Sequence, residues 1–340
     1  PAPPGRGCKP MSPILDSLDR TLLDGWQRDF PLVPRPFAEI GAKLDIAEAE
    51  VLERLRRLSG AGAISRIGAT LRPNTAGAST LAAVAAPEFR IDEIAAVIGA
   101  EPGVNHSYLR ENDWNIWFVA TGPDRAHVEA TLERIRRRTG LEVLDLPLVR
   151  PFNISLAFAL DGPGKLPPAR EDVDAGALLP GDRDIMQGLT SGLPIVARPF
   201  GELAAELDRP EAEVLERIAA LAAAGVLSRI GVILRHRALG WRANAMVVWD
   251  LPPEEAGRIG PALAAVPGVT LCYQRRPLPG VWPYTLYCMI HARTRHEAMA
   301  VLDRACVEAG LDGVPHQVLF SLRCFKQTGA LVAPAAGAAA

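Results

Sequence analysis

The chain has 340 residues, of which 49% are hydrophobic and 22% charged, enough apolar material for more than one packed domain. No run approaches the roughly 20 consecutive apolar residues of a membrane-spanning helix. The formal net charge of −2 argues against a general nucleic-acid binder. The five cysteines lack the CxxC spacing of zinc ribbons and haem attachment, so a cytoplasmic location is expected.

Three stretches are predicted to lie outside the folded domains. Residues 1–13 begin PAPPGRGCKP and are predicted to be a disordered leader without the apolar core of a signal peptide. Residues 161–182 are rich in Pro, Gly and Asp, as is typical of a linker. Residues 329–340 end in APAAGAAA and are predicted to be a disordered tail.

The chain contains two copies of one unit, on either side of the predicted linker. Residues 34–68 and 197–231 share 21 identities over 35 aligned positions, at an offset of 163 residues. Further along, Arg150 of copy one matches Arg323 of copy two. The sequence therefore predicts a tandem duplication.

Each copy begins with a helix-turn-helix pattern, at 14–68 and at 183–231. One apolar helical face is formed by Val51, Leu52, Leu55 and Leu58. Gly62 and Gly225 follow these helices where a C-terminal glycine is expected, and a strand comes next. That order predicts a winged helix-turn-helix in each copy.

The remainder of each copy, at 69–160 and 232–328, has the order βαββαβ. That order is typical of a ferredoxin-like domain, a four-stranded sheet with helices on one face. We predict an α+β fold in which the two four-stranded sheets pack together and the chain forms an intrachain pseudo-dimer.

This arrangement resembles the Lrp/AsnC regulators, which would imply DNA binding. Carboxylates, however, occupy the N-terminal part of the second helix in each copy, where a recognition helix would meet DNA, and they repel a polyanion. They are Asp45, Glu48, Glu50 and Glu53 in copy one and Asp208, Glu211, Glu213 and Glu216 in copy two. No nucleic-acid partner is therefore expected, and a ligand-sensing transcriptional regulator is kept as the alternative function.

Arginines and aromatic residues recur at matching places in the ferredoxin-like domains. Guanidinium groups bind carboxylates bidentately, so the pattern predicts a cleft for a flat ligand with several carboxylates. The alternative is a set of ion pairs inside the pseudo-dimer. The candidate substrate-binding residues are Arg72, Tyr108, Arg110, Arg150, Arg235, His236, Arg237, Tyr273, Arg275, Arg323 and Lys326.

Three histidines occur in one copy only, so the shared fold does not require them. They are His106, His291 and His236. The equivalent positions of the other copy carry Leu271, Thr121 and Pro73, respectively. We predict that His106 and His291 are catalytic, with satisfied core histidines as the alternative.

Several segments resemble the siroheme decarboxylases, among them VNHSYLRENDWNIWF, SRIGVILRHRALGWRANAMVVWD and WPYTLYCMIHA. That family usually has two homologous subunits, which here are fused. The resemblance implies removal of two acetate carboxyl groups from siroheme, giving 12,18-didecarboxysiroheme and two CO2, in haem d1 or haem b biosynthesis. It implies no metal or cofactor beyond the substrate's iron, which His106 or His291 would ligate.

The expected chemistry is general acid catalysis by histidine in a cleft whose arginines hold the carboxylates that do not react. Leu271 and Asn153 depart from histidines of some relatives, which argues against a second, symmetry-related active site. A tetrapyrrole carrier without catalysis is a third possible function. Siroheme, a second copy of the chain and later enzymes of the haem d1 pathway are the expected partners, and a membrane is not.

Overall fold

The computed structural model describes residues 14–154, 160 and 173–333, so the predicted leader and most of the predicted linker lie outside it. Copy one consists of α1 (Ser17–Gly25), α2 (Pro36–Leu44), α3 (Glu48–Gly60), β1 (Ile64–Leu71), β2 (Ala78–Val84), α4 (Ile91–Ala100), β3 (Val104–Arg110), β4 (Ile116–Gly122), α5 (Arg125–Thr139) and β5 (Leu144–Asn153). Copy two repeats this order as α6 (Asp182–Ser191), α7 (Pro199–Glu206), α8 (Glu211–Ala223), β6 (Leu227–Leu234), β7 (Ala243–Trp249), α9 (Pro253–Ala265), β8 (Val269–Arg275), β9 (Leu286–Ala292), α10 (Arg295–Ala309) and β10 (His316–Gln327).

Local sequence signals set the helix ends. Asp16 caps α1 in a reciprocal arrangement with Asp19, in which each side chain accepts from the other residue's backbone N–H. Gly140 and Gly310 end α5 and α10 in the left-handed conformation, which costs a residue without a β-carbon little. The predicted α+β order is thus present in both copies.

The wing strand of each copy pairs with the wing strand of the other copy. β1 and β6 form a two-stranded antiparallel ribbon with Gly68 opposite Gly231. A β-carbon at Gly68 would lie 2.1 Å from the carbonyl oxygen of Leu189, and one at Gly231 would lie 2.4 Å from that of Trp26. Each ribbon strand therefore packs tightly against the first helical segment of the opposite copy, so the two helix-turn-helix units interlock.

The two ferredoxin-like sheets join edge to edge. In copy one the strand order is β3-β4-β2-β5, and in copy two it is β8-β9-β7-β10. β5 also pairs with β8, and β10 also pairs with β3, which closes one eight-stranded barrel. The sheets meet as predicted, but through shared hydrogen-bonded edges and not only through packed faces.

Side chains alternate between the helix-covered outside of the barrel and its interior, as the two-residue period of a strand requires. An interior core combines both copies and includes Trp117, Tyr287 and Trp282. The Trp117 and Trp282 rings are 5.1 Å apart, and Trp282 Nε1 donates to the Tyr287 hydroxyl at 2.8 Å. These aromatic rings fill the barrel interior near the hairpins that follow β3 and β8.

The predicted disorder of 329–333 is wrong. The backbone N–H of Leu331 donates to Thr121 Oγ1 at 2.9 Å, and that of Val332 donates to Gln187 Oε1 at 2.9 Å. Val332 is 4% exposed and joins the helix-turn-helix core. The segment is ordered because copy one and α6 supply fixed acceptors and an apolar surface; residues 334–340 of the predicted tail lie outside the described residues.

None of the helices in the described ranges is long and apolar enough to cross a membrane.

Candidate active site

Three histidines converge at the ribbon-facing end of the barrel. His106 lies on β3, His291 on β9, and His236 in the loop between β6 and β7. The rings of His236 and His291 meet edge to face with centroids 4.7 Å apart. His236 is close enough to His106 for its charge to lower the pKa of His106. The structure thus joins the two predicted catalytic histidines through a third one, and it takes them from both copies.

The surroundings of these histidines favour neutral imidazoles. Burial, together with the nearby charges of Arg66 and His236, lowers the pKa of His106 to about 4. Burial, Arg237 and Arg229 lower the pKa of His236 to about 4. The pKa of His291, which is 7% exposed, lies well below its ordinary value, mainly because of burial. At neutral pH each imidazole is therefore in its neutral form.

The hydrogen bonds of Thr270 set the tautomer of His291. Thr270 Oγ1 donates its only proton to the carbonyl of Met289 at 2.9 Å. The same oxygen lies 2.7 Å from His291 Nδ1 and must accept there, so Nδ1 carries the imidazole proton. Nε2 is consequently the basic nitrogen of His291.

Arg110 and Arg275 occupy equivalent places in the two copies and link the halves of the barrel. Arg110 Nη1 donates to the carbonyl of Leu319 at 3.3 Å, and Arg275 Nη1 donates to that of Leu146 at 2.9 Å. Each arginine thus binds the equivalent leucine of the opposite copy. Burial lowers the pKa of Arg110 to about 10, and Ser321 Oγ also accepts from Arg110 Nη1, at 2.9 Å. These contacts link the two copies, but they are hydrogen bonds to carbonyl and hydroxyl oxygens and not the ion pairs of the alternative interpretation.

The predicted aromatic partners accompany these arginines. The Arg110 guanidinium lies 5.5 Å from the Tyr108 ring centroid, and that of Arg275 lies 5.2 Å from the Tyr273 ring centroid. Tyr108 and Arg110 follow His106 on the same face of β3, at two-residue spacing. Because that face points into the barrel, the structure places the predicted His106, Tyr108 and Arg110 in one row.

Arg72 and Arg235, which are equivalent residues of the two copies, line two separate cavities. Arg235 lines a cavity of about 410 Å³ together with Arg66 and Gln327. Arg72 lines a cavity of about 480 Å³ together with Arg229. The two cavities flank the β1-β6 ribbon at equivalent places. Only the first is next to His106, because Gln327 pairs with His106 across β10 and β3.

Arg237 is the predicted arginine that lies beside the histidine cluster. Its Nη1 donates to the carbonyl of Ser321 at 3.3 Å, and its Nη2 donates to that of Leu322 at 3.4 Å. Its charge lowers the pKa values of both His236 and His291. Arg237 therefore supplies positive charge to the centre of the cluster.

Three predicted binding residues lie on the helix-covered outer face of the barrel, apart from the histidines. Arg150 stacks on Phe152 at 5.6 Å and is exposed. Arg323 donates to Asp92 Oδ1 at 2.5 Å. Lys326 Nζ donates to the carbonyl of Gly99 at 2.8 Å, at the end of α4. The structure separates this group from the site because strand bulges and alternation turn these side chains outward.

Two arginines of the ribbon, Arg66 and Arg229, were missed by the sequence reasoning. They are equivalent residues of the repeated SRIG segment. Arg66 lies near His106, Arg229 lies near His236, and the charge of Arg66 lowers the pKa of Arg229. Burial lowers both arginine pKa values to about 10. The available signal was an arginine that recurs at the same position of the SRIG segment, within an otherwise largely apolar strand, in both copies.

Comparison with known families matches both parts of each copy. The model of the AsnC-like ligand binding domain matches residues 76–153 and 238–326. The model of the siroheme decarboxylase NirDL-like HTH domain matches residues 19–64 and 182–227. The predicted duplication of a helix-turn-helix plus an AsnC-type domain is thereby confirmed.

The chain is 59% identical to the siroheme decarboxylase NirDL subunit of Paracoccus denitrificans over 95% of this chain and 99% of that protein. The NirD subunit of Stutzerimonas stutzeri is 48% identical and aligns with 44% of this chain over 98% of its own length. A solved siroheme decarboxylase NirDL in complex with an iron-uroporphyrin III analogue is 26% identical. It covers 93% of this chain and 94% of its own length, with a TM-score of 0.63. This chain belongs to the siroheme decarboxylase family, in the form that joins two homologous subunits in one polypeptide.

Proposed function

We propose that this protein is a carboxy-lyase that converts siroheme into 12,18-didecarboxysiroheme and two CO2. The observation that carries the proposal is the cluster of His106, His236 and His291, which both copies build beneath the arginine-bearing ribbon. Membership of the siroheme decarboxylase family supports the same substrate.

Siroheme is a flat macrocycle with eight carboxylates, so its site must offer apolar surface and several positive charges. The end of the barrel offers rings of His106 and Tyr108, stacked with centroids 6.4 Å apart. Arg66, Arg235 and Arg237 surround that end. We place the macrocycle between the β1-β6 ribbon and the barrel, where these arginines reach the carboxylates that do not react.

Each decarboxylation consumes one proton. Protonation of a ring carbon lets the macrocycle accept the electron pair of the breaking carbon–carbon bond, and CO2 leaves. The side-chain carbon then takes a proton as the ring carbon loses one, so that an acetate becomes a methyl group. The macrocycle thus supplies the electron sink, and no further cofactor is required.

The histidines divide these tasks by their surroundings. The basic Nε2 of His291 suits it to ligate the substrate's iron, since Thr270 holds the proton on Nδ1. His106 is then the proton donor. Its pKa is low because of burial and because Arg66 is close, and substrate carboxylates bound there would offset that charge and raise the pKa. The acid thereby becomes effective when substrate is bound.

The direct test is anaerobic incubation of the purified protein with siroheme, followed by mass spectrometry of the tetrapyrrole. The expected product is lighter by two CO2. Bound but unchanged siroheme would instead identify a carrier, and the absence of binding would refute the proposal. His106→Leu is the matched control, because Leu271 already occupies the equivalent position of copy two.

A further inference from the structure

Arg66 is a half-buried cation whose side chain donates no hydrogen bond to the described residues. Its Nε is buried and has no hydrogen-bond partner among the described residues. Nor does its side chain form an ion pair with any carboxylate of the described ranges. Burial lowers its pKa to about 10, which reports the loss of hydration. A desolvated guanidinium of this kind is stabilised only when an anion approaches it.

The position of Arg66 gives an anion access to it. Arg66 lies on β1 and lines the cavity of about 410 Å³ that Arg235 and Ser65 also line. Gln327, in the same cavity, pairs with His106 across the β10-β3 edge. The cavity is therefore bounded by the ribbon on one side and by the strand neighbour of His106 on the other, and the charge of Arg66 is close enough to lower the pKa of His106.

The neighbouring positive charges also favour binding of an anion near Arg66. Arg229, the equivalent residue of copy two, is close enough to Arg66 for their charges to repel, and it is 7% exposed. Arg66 pairs with Ile233 and Arg229 pairs with Thr70, so the two cations lie diagonally across the ribbon, on either side of the Gly68–Gly231 pair. Arg66 is near His106, and Arg229 is near His236. A carboxylate placed between ribbon and barrel would reduce this repulsion, and the planar guanidinium could hold it through two parallel hydrogen bonds.

We propose that Arg66 binds one carboxylate of the tetrapyrrole substrate directly beside His106, and so fixes which edge of the macrocycle faces that histidine. This inference rests on the proposed function. The carboxylate belongs to an acetate or to a propionate, which share the same chemistry towards a guanidinium. Arg66 is accordingly a substrate-positioning residue.

The test measures binding of two stable iron porphyrins by their absorption bands, without turnover. Iron uroporphyrin III carries four acetates and four propionates, whereas iron coproporphyrin III has methyl groups in place of the acetates. Arg66→Ala should weaken binding of the uroporphyrin by about 10- to 150-fold, the equivalent of one charge-assisted hydrogen bond. Unchanged coproporphyrin affinity would assign the contact to an acetate, and an equal loss for both ligands would assign it to a propionate.

The matched control is Arg150→Ala, which removes an exposed strand arginine from the outer face of the barrel. It should leave both affinities unchanged. Arg66→Lys should restore binding partly, because lysine keeps the positive charge but cannot form the two parallel hydrogen bonds of a guanidinium. If Arg66→Ala folds poorly, the affinity of Arg66→Lys tests the same contact. If Arg66→Ala and Arg66→Lys both bind the two porphyrins with wild-type affinity, the role of Arg66 is refuted, while the proposed function is unaffected. Failure of the wild-type protein to bind either porphyrin would overturn the proposed function as well.

Discussion

His236 and His291 contact each other edge to face at 4.7 Å, one from the loop after the ribbon and one from the barrel wall. The contact therefore joins the two structural layers of the protein at the proposed site. His236 lowers the pKa of His291, because a second positive charge so close to a protonated ring would be repelled. This relationship makes the histidine cluster one electrostatic unit, and its members should respond together to mutation and pH.

The first prediction concerns the histidines. His106→Leu and His291→Thr introduce the residues that the other copy carries at Leu271 and Thr121, so the fold should persist. Because a positioned proton donor contributes about 10²- to 10⁴-fold in rate, His106→Leu should lower the single-turnover rate by that amount. His291→Thr should also remove the spectral signature of an imidazole bound to the iron.

The control for both variants is His296→Ala, an exposed histidine on α10, which should leave the rate unchanged. Near-normal turnover by His106→Leu would show that another group donates the proton. An unchanged iron spectrum in His291→Thr would remove His291 as the iron ligand.

The second prediction concerns pH. The pKa values of His106 and His236 are about 4 in the folded protein, below the value of about 6.5 expected when unfolded. Above pH 6.5 both states are neutral and these residues contribute nothing. As pH falls from 6.5 towards 4, the unfolded state takes up protons first, so the free energy of unfolding should fall.

The measurement is urea unfolding between pH 7 and pH 4 for the wild-type protein and His106→Leu. The variant should lose less stability over this range. Bound iron uroporphyrin should also reduce the loss, since its carboxylates favour the protonated imidazole. Parallel pH profiles for the two proteins would show that His106 has an ordinary pKa.

The third prediction separates the arginines by position. Arg110→Ala and Arg275→Ala remove hydrogen bonds between the two copies, so each should lower the free energy of unfolding by about 1.5–3 kcal/mol. Arg237→Ala should weaken porphyrin binding by about 10- to 150-fold with a smaller effect on stability. Arg323→Ala, on the outer face, should change neither property appreciably. Chemical unfolding and porphyrin titration of the same four proteins test this assignment, which fails if Arg323→Ala binds as weakly as Arg237→Ala.

The fourth prediction concerns the ribbon glycines. Gly68→Ala would place a β-carbon 2.1 Å from the Leu189 carbonyl oxygen, so strands or helices must shift. Overpacking of this kind costs about 1–3 kcal/mol, and the thermal midpoint should fall. Gly60→Ala is the control, because a β-carbon there meets nothing within 4 Å. Equal midpoints for the two variants would show that the ribbon can relax away from α6.

The fifth prediction is that the protein does not retard DNA at physiological salt. Arg54 Nη1 is bound to Asp16 Oδ2 at 2.7 Å and to Asp19 Oδ1 at 3.1 Å, and Arg57 Nη2 is bound to Asp19 Oδ1 at 2.6 Å. These α3 cations are therefore already neutralised, while Glu48 and Glu50 occupy the first turn. An electrophoretic mobility assay with mixed-sequence and genomic fragments tests this. A submicromolar complex that is lost on mutation of α3 would favour the regulator.

The sequence by itself determined the duplication, the order of elements in each copy and the positions at which the two copies differ. These features depend on local periodicity and on direct comparison of the two repeats. His106 and His291 could be selected from the sequence since Leu271 and Thr121 show that the fold does not need them. The same comparison could not show that His236 would contact His291, because no local pattern fixes the path of the loop between β6 and β7.

Tertiary structure decided how the copies combine. Strand edges are generic hydrogen-bonding groups, so only the assembled fold determines that β5 pairs with β8 and that β10 pairs with β3. Those pairings turn Arg110 into the barrel and Arg323 out of it, although both were predicted to bind substrate. The assembled fold also brings Arg66 close enough to His106 to lower its pKa. The side a strand residue faces depends on register and bulges, and these are set by long-range pairing and not by the residues themselves.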